Sequence, residues 1–177
     1  YVTTHLNDLL KVMKKFYNMR DNDLKNSDFS REKNPAWYKG NNLTGMMMYV
    51  NAFAGDLKGL ESKLDYIKEC NVNYLHLMPL LHSPKGRRDG GYAVADFRKV
   101  QENLGTMDDF AHLTSECHKR GINICLDFVM NHTSEDHEWA KRARNGEKEY
   151  QDRYFFFDNY DIPSLYDQTC PEVFPTT

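Results

Sequence analysis

Several segments that would assign a protein to a class at once are missing from this sequence. No apolar run approaches the roughly 20 residues that a membrane-spanning helix requires. The net charge is only −3, and no block of basic residues marks a nucleic-acid-binding face. The sequence also lacks a P-loop, a G-x-S-x-G element and a redox pair. We therefore expect neither nucleic acid nor a membrane as a partner.

Cysteine is also sparse and follows no pattern. Cys70, Cys117, Cys125 and Cys170 form no C-x-x-C pair and lack the spacing of a zinc site. Scattered cysteines of this kind predict free thiols in a cytoplasmic protein rather than a disulfide framework. Secretion stays open as the alternative, because the sequence begins at Tyr1 rather than at a methionine.

What the sequence does contain is an alternation of two apolar patterns. Hydrophobic residues make up 40% and charged residues 28% of the chain, which is typical of a globular domain. Apolar residues three or four apart predict helices, and short apolar runs predict strands. The helices are predicted at 5–17, 57–67 and 106–117, and the strands at 43–53, 72–81 and 122–130. The crossovers are long enough to return parallel strands, so we expect a parallel α/β sheet.

Two folds begin with units of this kind, a doubly wound sheet and a (β/α)8 barrel. A dinucleotide-binding sheet needs G-x-G-x-x-G after its first strand, and "AGDLKG" does not supply it. Both folds carry their functional residues at the carboxyl ends of the strands. The informative loops are therefore those that follow Val50, Met78 and Met130.

The third predicted strand carries one carboxylate in an apolar run, within "GINICLDFVMNHTSEDHEW" (121–139). By the two-residue period of a strand, Asp127 and Asn131 lie on one face, with Asn131 and His132 at the mouth of the strand. A buried aspartate requires hydrogen bonds or a cation. Two interpretations stay open here: an aspartate tied to a neighbouring arginine or to backbone amides, and a member of a functional site.

The loop after the second strand places Asp89 and Tyr92 on either side of two glycines. Glycines allow backbone angles that other residues avoid. A carboxylate that accepts hydroxyl hydrogen bonds, beside a ring that stacks on a sugar, is typical of a carbohydrate pocket. The alternative is a plain glycine turn capped by the aspartate.

The residues nearest to a metal-binding pattern are His132 and His137, with Asp136 beside the second. Their spacing is not H-E-x-x-H, and no Cys or Glu completes a ligand set. The pattern therefore predicts no transition-metal site.

Taken together, the motifs resemble the α-amylase superfamily of glycoside hydrolases (glycoside hydrolase family 13). "LDFVMNHTSEDHEWA" is similar to the family's first signature region, which ends the third strand of a (β/α)8 barrel. "YVNAFAGDLKGL", "YLHLMPLL", "DGGYAVADF" and "LGTMDDF" resemble the amylosucrase branch of that family, including its sucrose-hydrolysing relatives. The resemblance runs from Asn34 to Pro175.

The resemblance implies an α/β fold made of the first three β/α units of a (β/α)8 barrel. Residues 1–40 would be the end of a helical N-terminal domain and its linker, within which the polar segment 18–35 reads as a connection. Residues 41–132 would be the first part of the catalytic barrel, and 133–177 the start of the excursion, called domain B, that roofs the pocket.

The resemblance also implies roles for single residues. His132 would hydrogen-bond a glucosyl unit, Tyr92 would stack against its ring, and Asp89 would close the pocket floor together with an arginine from elsewhere in the protein. Asp127 and Asn131 would support the site. Asn131 binds calcium in many α-amylases, but amylosucrase-like members generally lack that ion, so neither a metal nor another cofactor is expected.

The implied activity is retaining transfer of glucose from sucrose to an α-glucan, or hydrolysis of sucrose, in carbohydrate metabolism. The family's nucleophilic Asp and acid/base Glu end the fourth and fifth strands, so neither is expected among these residues. The chain alone would then be an inactive N-terminal fragment. Two alternatives stay open: another family member such as an α-glucosidase or a trehalose synthase, and a non-catalytic barrel relative that acts as a binding protein.

Overall fold

The computed structural model describes residues 2–169 of the chain. The chain divides into two compact units, with the boundary between Thr44 and Gly45. Cys170 and Pro175 lie outside the described residues. The predicted domain limits at 40/41 and 132/133 stay predictions.

Helices alone form the first unit. They are α1 (Val2–Met19), α2 (Asn22–Lys33) and a 3-10 turn at Trp37–Lys39. The predicted helix at 5–17 is confirmed, but the prediction that 18–35 is a connection is wrong, because α2 occupies most of it. This helix has no apolar stripe, so a search for helical periodicity does not find it. The Arg20 guanidinium holds the Asp28 carboxylate at 2.7 Å across the corner between α1 and α2.

The second unit is an α/β structure. Its strands are β1 (Gly45–Met48), β2 (Tyr74–Leu77), β3 (Leu81–His82), β4 (Asp96–Val100) and β5 (Asn123–Leu126). Its helices are α3 (Val50–Phe53), α4 (Leu57–Glu61), α5 (Leu64–Glu69), α6 (Met107–Lys119), α7 (Glu138–Arg144), α8 (Lys148–Gln151) and α9 (Asp161–Thr169). Strands β1, β2 and β5 are parallel, with β2 in the centre. The predicted parallel α/β sheet is confirmed.

Each parallel strand is shorter than the apolar run that predicted it. The run 43–53 includes β1 but continues into α3, where Val50 is only 1% exposed. An apolar run reports burial, and a buried turn of helix extends it as readily as a strand does. The run 122–130 likewise continues beyond β5, so Asp127 lies one residue past the hydrogen-bonded strand.

The helix predicted at 57–67, in the crossover between β1 and β2, is divided into two short helices, α4 and α5. Asp56 caps α4 and accepts a hydrogen bond from the Gly59 amide at 2.7 Å. The helix then breaks at Ser62, whose hydroxyl donates to the Gly59 carbonyl at 2.7 Å. A side chain that satisfies a backbone carbonyl in this way competes with continued helix.

Helix α6 forms the second crossover and begins as predicted. The Thr106 hydroxyl accepts a hydrogen bond from the Asp109 amide at 3.1 Å, and the Asp109 carboxylate accepts one from the Thr106 amide at 2.9 Å. This reciprocal arrangement is a capping box. After the helix, Gly121 has a φ of +70°, which ends it.

The apolar layer lies between the parallel sheet and helices α4, α5 and α6. Its members with 0% exposure include Leu60, Leu64, Ile67, Leu75, Leu77 and Leu113. Burying one such side chain stabilises the fold by about 1.5–3 kcal/mol. This layer fixes the strands side by side and so fixes where their carboxyl ends meet.

The loop predicted between the second strand and α6 contains an antiparallel pair that the sequence analysis missed. Strands β3 and β4 pair there with an irregular register between Leu81 and His82. After Thr133 the alternation stops, as expected, and the described residues there form α7, α8 and α9 but no further strand.

The structure bears on two expectations for the whole sequence, free cysteine thiols and the lack of a membrane-spanning helix. Within residues 2–169, Cys70, Cys117 and Cys125 are free thiols. No helix in that part of the chain is long and apolar enough to cross a membrane.

Candidate functional site

Asp127 is the centre of a polar cluster at the carboxyl ends of the parallel strands. One carboxylate oxygen, Oδ1, lies 3.1 Å from Nε2 of His76 on β2. The other, Oδ2, accepts a hydrogen bond from the Tyr92 hydroxyl at 3.2 Å. The Asp127 side chain is 23% exposed and that of His76 is 29% exposed. The carboxylate is therefore half-buried and has a partner on each oxygen.

These partners differ from the structural tie that the sequence left open as one of two interpretations, an aspartate bound to an arginine or to backbone amides. The hydrogen bonds of Asp127 go to an imidazole and a phenol, not to an arginine or to backbone amides. An ionised carboxylate only accepts hydrogen bonds. Both carboxylate oxygens are thus engaged, one by His76 and the other by Tyr92.

Tyr92 stays protonated in this cluster. Burial raises the pKa of its phenol first, and the negative charge of Asp127 and the hydrogen bond to it raise the pKa further. Smaller contributions in the same direction come from Tyr49 and Asp89. The phenol therefore donates its hydrogen bond to Asp127, and this bond holds the hydroxyl end of the ring.

The turn that carries Tyr92 depends on its glycines. Gly90 has a φ of +63° and Gly91 a φ of +104°. A Cβ on Gly91 would lie 2.8 Å from Cβ of Pro79, closer than real side chains approach. Glycine is thus required at position 91 both for its backbone angle and for its contact with Pro79. The turn by itself does not distinguish a carbohydrate pocket from a plain glycine turn, because both interpretations of residues 89–92 include it.

Asp89 itself also occupies the left-handed region, with a φ of +45°. Its side chain is exposed, and its carbonyl accepts a hydrogen bond from the Tyr92 amide at 2.9 Å. Non-glycine residues in this backbone region are uncommon and cluster at functional sites. The carboxylate is exposed, and its charge contributes to the raised pKa of Tyr92.

Asn131 and His132 are exposed and contact each other. The Asn131 side-chain amide lies 3.2 Å from Nδ1 of His132, which accepts its hydrogen bond if the imidazole carries its proton on Nε2. Both residues line a groove of about 650 Å3. Its aromatic wall consists of Phe97, Phe128, Trp139, Tyr154 and Phe155. Within residues 2–169, no side chain hydrogen-bonds Nε2 of His132.

The structure thus groups the predicted residues into two sets. Tyr92 and Asp127 share one cluster, with Asp89 near enough for its charge to raise the pKa of Tyr92, whereas Asn131 and His132 form a pair at the groove. Among the described residues, no hydrogen bond joins one set to the other. The two-residue period that placed Asp127 and Asn131 on one face ends with β5 at Leu126, and Asn131 turns to its sequence neighbour.

One member of the cluster, His76, was missed by the sequence analysis. A usable signal was present, because "YLHLMPLL" carries a single polar residue in an apolar run, as the third strand carries Asp127. His76 lies opposite Cys125 in the parallel register, two residues before Asp127. Its imidazole therefore reaches forward along the face of the sheet to the end of the neighbouring strand.

His137 has a local structural task. Its Nδ1 accepts a hydrogen bond from the Trp139 amide at 3.1 Å and caps α7. Within residues 2–169, no group of three or more His, Cys, Asp or Glu side chains is placed to hold a metal ion. The expectation that the protein needs no metal stays a prediction.

Solved structures with the same arrangement of strands and helices identify the architecture. The trehalose-6-phosphate hydrolase of Bacillus licheniformis is 36% identical, with a TM-score of 0.63 over 71% of this chain and 23% of its own. The trehalulose synthase MutB of Pseudomonas mesoacidophila is 37% identical, with a TM-score of 0.63 over 71% of this chain and 23% of its own. The parallel sheet is part of a (β/α)8 barrel, so the chain is of the class of α/β-barrel catalytic domains.

The sequence model described as "Alpha amylase, catalytic domain" matches residues 12–173. The chain belongs to this α-amylase family of glycoside hydrolases. The trehalose synthase/amylase TreS of Mycolicibacterium smegmatis is 50% identical over 108 residues, which are 60% of this chain and 18% of that protein. An oligo-1,6-glucosidase of Saccharomyces cerevisiae is 38% identical over 131 residues, 70% of this chain and 22% of that protein. The chain thus spans about a fifth of the length of these curated relatives.

Proposed function

We propose that the protein containing this chain is a retaining α-glucoside-active enzyme that takes glucose from sucrose and passes it to an α-glucan or to water. Asp89, Tyr92 and His132 contact the glucosyl unit, and Asp127 and Asn131 support them. The substrates are sucrose and α-glucans, the work is carbohydrate metabolism, and the location is the cytoplasm.

The observation that carries this proposal is the Asp89–Tyr92 pair beside Asp127. The Tyr92 hydroxyl donates a hydrogen bond to Asp127 at 3.2 Å, so the polar end of the side chain is engaged within the protein. The ring is then available to stack on the apolar face of a pyranose, while the exposed Asp89 carboxylate accepts hydrogen bonds from its hydroxyls. One ring and one carboxylate in this relation bind a single terminal sugar.

The chemistry follows the two-carboxylate route of retaining glycosidases, in which the carboxyl groups lie about 5–5.5 Å apart. A carboxylate attacks the anomeric carbon of the glucosyl unit while a carboxylic acid gives its proton to the departing fructose oxygen. A hydroxyl of a glucan, or water, then attacks the β-glucosyl ester and loses its proton to the second group. We assign neither carboxylate to Asp127, because both of its oxygens are engaged by His76 and Tyr92.

The support for sucrose comes from the motifs "YVNAFAGDLKGL" and "DGGYAVADF", which resemble the amylosucrase branch. A solved MutB mutant in complex with the substrate sucrose is also among the similar structures, at 36% identity. A second candidate is an α-glucosidase or trehalose synthase, which is favoured by the 50% identity to a trehalose synthase/amylase.

A comparison of substrates with the whole protein tests the proposal. Sucrose, maltose, isomaltose and trehalose are offered separately, and released glucose and fructose are measured with and without added glucan. Sucrose is expected to be the best substrate, with less free glucose when glucan is present. A preference for maltose, isomaltose or trehalose would select the second candidate.

Asp89→Asn supplies the matched variant for the pocket. Loss of hydrogen bonds to a charged group, about 1.5–3 kcal/mol, corresponds to a kcat/KM about 12- to 160-fold lower. Asp65→Asn is the control, because Asp65 contacts Arg120 after α6, at the opposite end of the strands. Absence of turnover of every sugar, together with absence of D-glucose binding, would contradict the proposal. Binding without turnover would identify the non-catalytic relative instead.

A further inference from the structure

The contact between His76 on β2 and Asp127, one residue beyond β5, needs an explanation, because β2 and β5 are already joined. The backbone ladder pairs Tyr74 with Asn123 and continues to Leu77 with Leu126. The histidine–aspartate contact begins where this ladder ends. It therefore adds nothing to the register of the strands, but it fixes the orientation of the first side chain beyond them.

Both hydrogen bonds of Asp127 run in the same direction, from a neighbouring side chain to the carboxylate. Tyr92 donates to Oδ2 of Asp127, and the carboxylate can only accept, so Nε2 of His76 donates to Oδ1. If His76 is removed, Asp127 loses the group that sets its second oxygen and is free to rotate. The Tyr92 hydroxyl then follows a moving acceptor.

The raised pKa of Tyr92 agrees with its role as a hydrogen-bond donor. Its causes, burial first and then Asp127, both keep the phenol protonated. No other described side chain hydrogen-bonds Oδ1 of Asp127. His76, Asp127 and Tyr92 all lie outside the linings of the groove beside His132 and of the smaller cavity beside Tyr49 and Gly90. The two hydrogen bonds are therefore the route by which His76 acts on the ring.

We propose that His76 is a positioning residue, which fixes Asp127 and, through it, the ring of Tyr92 for stacking against the glucosyl unit. The inference rests on the proposed function for its sugar, and on the observed contacts for its geometry. It assigns to β2 a role in substrate orientation that none of the predicted site residues covers.

A double-mutant cycle in the whole protein tests the coupling. His76→Leu removes the donor at similar size, whereas His76→Gln keeps an amide donor that can reach Asp127. His76→Leu is expected to lower kcat/KM for sucrose, and to weaken inhibition by D-glucose, by about 5- to 20-fold each, and His76→Gln by no more than about 3-fold. In the Tyr92→Phe background, which has no hydroxyl to position, His76→Leu is expected to change both quantities less than about 2-fold.

A merely structural histidine gives a different pattern. Equal losses from His76→Leu in the wild-type and Tyr92→Phe backgrounds would overturn the proposal, as would equal losses from His76→Leu and His76→Gln. If the leucine variant does not fold, His76→Asn, whose amide is too short to reach Asp127, replaces it in the cycle.

A sugar-free measurement separates failure of this inference from failure of the proposed function. In protein labelled with 13C at the tyrosine ring, Tyr92→Phe identifies the Tyr92 signal. That signal is expected to shift in His76→Leu and in Asp127→Asn and to stay near its original position in His76→Gln. An unchanged signal in His76→Leu overturns the positioning role whatever the activity. A shifted signal in a protein that neither binds D-glucose nor cleaves a glucoside keeps the coupling and removes only the proposed substrate.

Discussion

The apolar layer behind the parallel sheet and the polar cluster at its carboxyl ends are built from the same strands by different means. Leu75 and Leu77 on β2 are 0% exposed and pack against helices. His76, between them, points to the other face, where its side chain is 29% exposed and meets Asp127. One face is fixed by many interchangeable contacts, the other by two hydrogen bonds.

The difference shows what each region tolerates. Dispersion contacts in an apolar layer are individually weak and numerous, so a change of shape is spread over several neighbours. The cluster has one partner for each carboxylate oxygen, so a single substitution removes half of its support. We expect stability to respond to changes in the layer and sugar affinity to respond to changes in the cluster.

The largest expected effect tests the layer alone. Leu113→Ala, at a side chain with 0% exposure, is expected to reduce the free energy of unfolding of the whole protein by about 2–5 kcal/mol, because it leaves a cavity. Affinity for D-glucose in the protein that remains folded should not change. Met107→Ala on the same helix, at 45% exposure, is the control and should cost less than about 1 kcal/mol. Equal destabilisation by the two variants in urea would contradict the distinction.

Gly91→Ala is expected to affect both regions. The substitution places a Cβ 2.8 Å from Pro79 at a φ of +104°, and strain of this kind costs about 1–3 kcal/mol. Because Tyr92 is the next residue, weaker D-glucose binding should accompany the loss of stability.

Gly86→Ala separates the two causes of that effect. Gly86 has a similar φ of +77°, but its added Cβ would meet nothing within 4 Å. It should cost only the backbone strain, about 1 kcal/mol, and leave D-glucose binding unchanged. If both alanine variants lose equal stability and binding, the contact between Gly91 and Pro79 does not position Tyr92.

The same contrast explains what the sequence predicted. The helices that cover the layer were predicted from the three- and four-residue spacing of their apolar residues, and the strands from short apolar runs. The carboxylate at 127 was found because it interrupts an apolar run. Its partners lie 51 and 35 residues away in sequence, and no local pattern encodes which side chains meet over such distances.

The elements and the residue that the sequence analysis did not find are explained by the same limit, because a local pattern does not encode distant pairing. Helix α2 has no apolar face, and β3 and β4 are held by pairing with each other rather than by burial of an alternating face, so neither gave a periodic signal. His76 gave the same signal as Asp127, a polar residue in an apolar run. Its meaning depends on the parallel register, which only the assembled sheet supplies.

His132→Ala is expected to act on sugar alone and more weakly. Its side chain is exposed and its hydrogen bond is to adjacent Asn131, so the free energy of unfolding should stay within about 0.5 kcal/mol of the wild type. Loss of one hydrogen bond to a hydroxyl, about 0.5–1.5 kcal/mol, should lower kcat/KM for sucrose by about 2- to 12-fold. His118→Ala, an exposed histidine in the last turn of α6, is the matched control. A loss of activity no larger than that of the control would remove His132 from the proposed site.

The smallest expected effect is a dependence of stability on pH that arises at His137, beside the groove but outside the cluster. Burial lowers the pKa of His137 below its ordinary value of 6.5, against the carboxylates of Asp96 and Glu138, with Arg153 and Arg98 acting in the same direction as burial. The folded state therefore binds this proton less readily than the unfolded chain does. The free energy of unfolding is highest above 6.5 and falls as the pH drops through 6.5 toward the lowered pKa of the folded state.

His137→Asn tests this assignment, because asparagine caps a helix but does not titrate in this range. Urea unfolding of the whole protein at about pH 7.5 and about pH 5.5 should show a smaller difference in the variant than in the wild type. The cause is specific, since Nδ1 must be unprotonated to accept the Trp139 amide at 3.1 Å. If the variant and the wild type lose equal stability in acid, the proton is taken up elsewhere, and the cap of α7 does not sense pH.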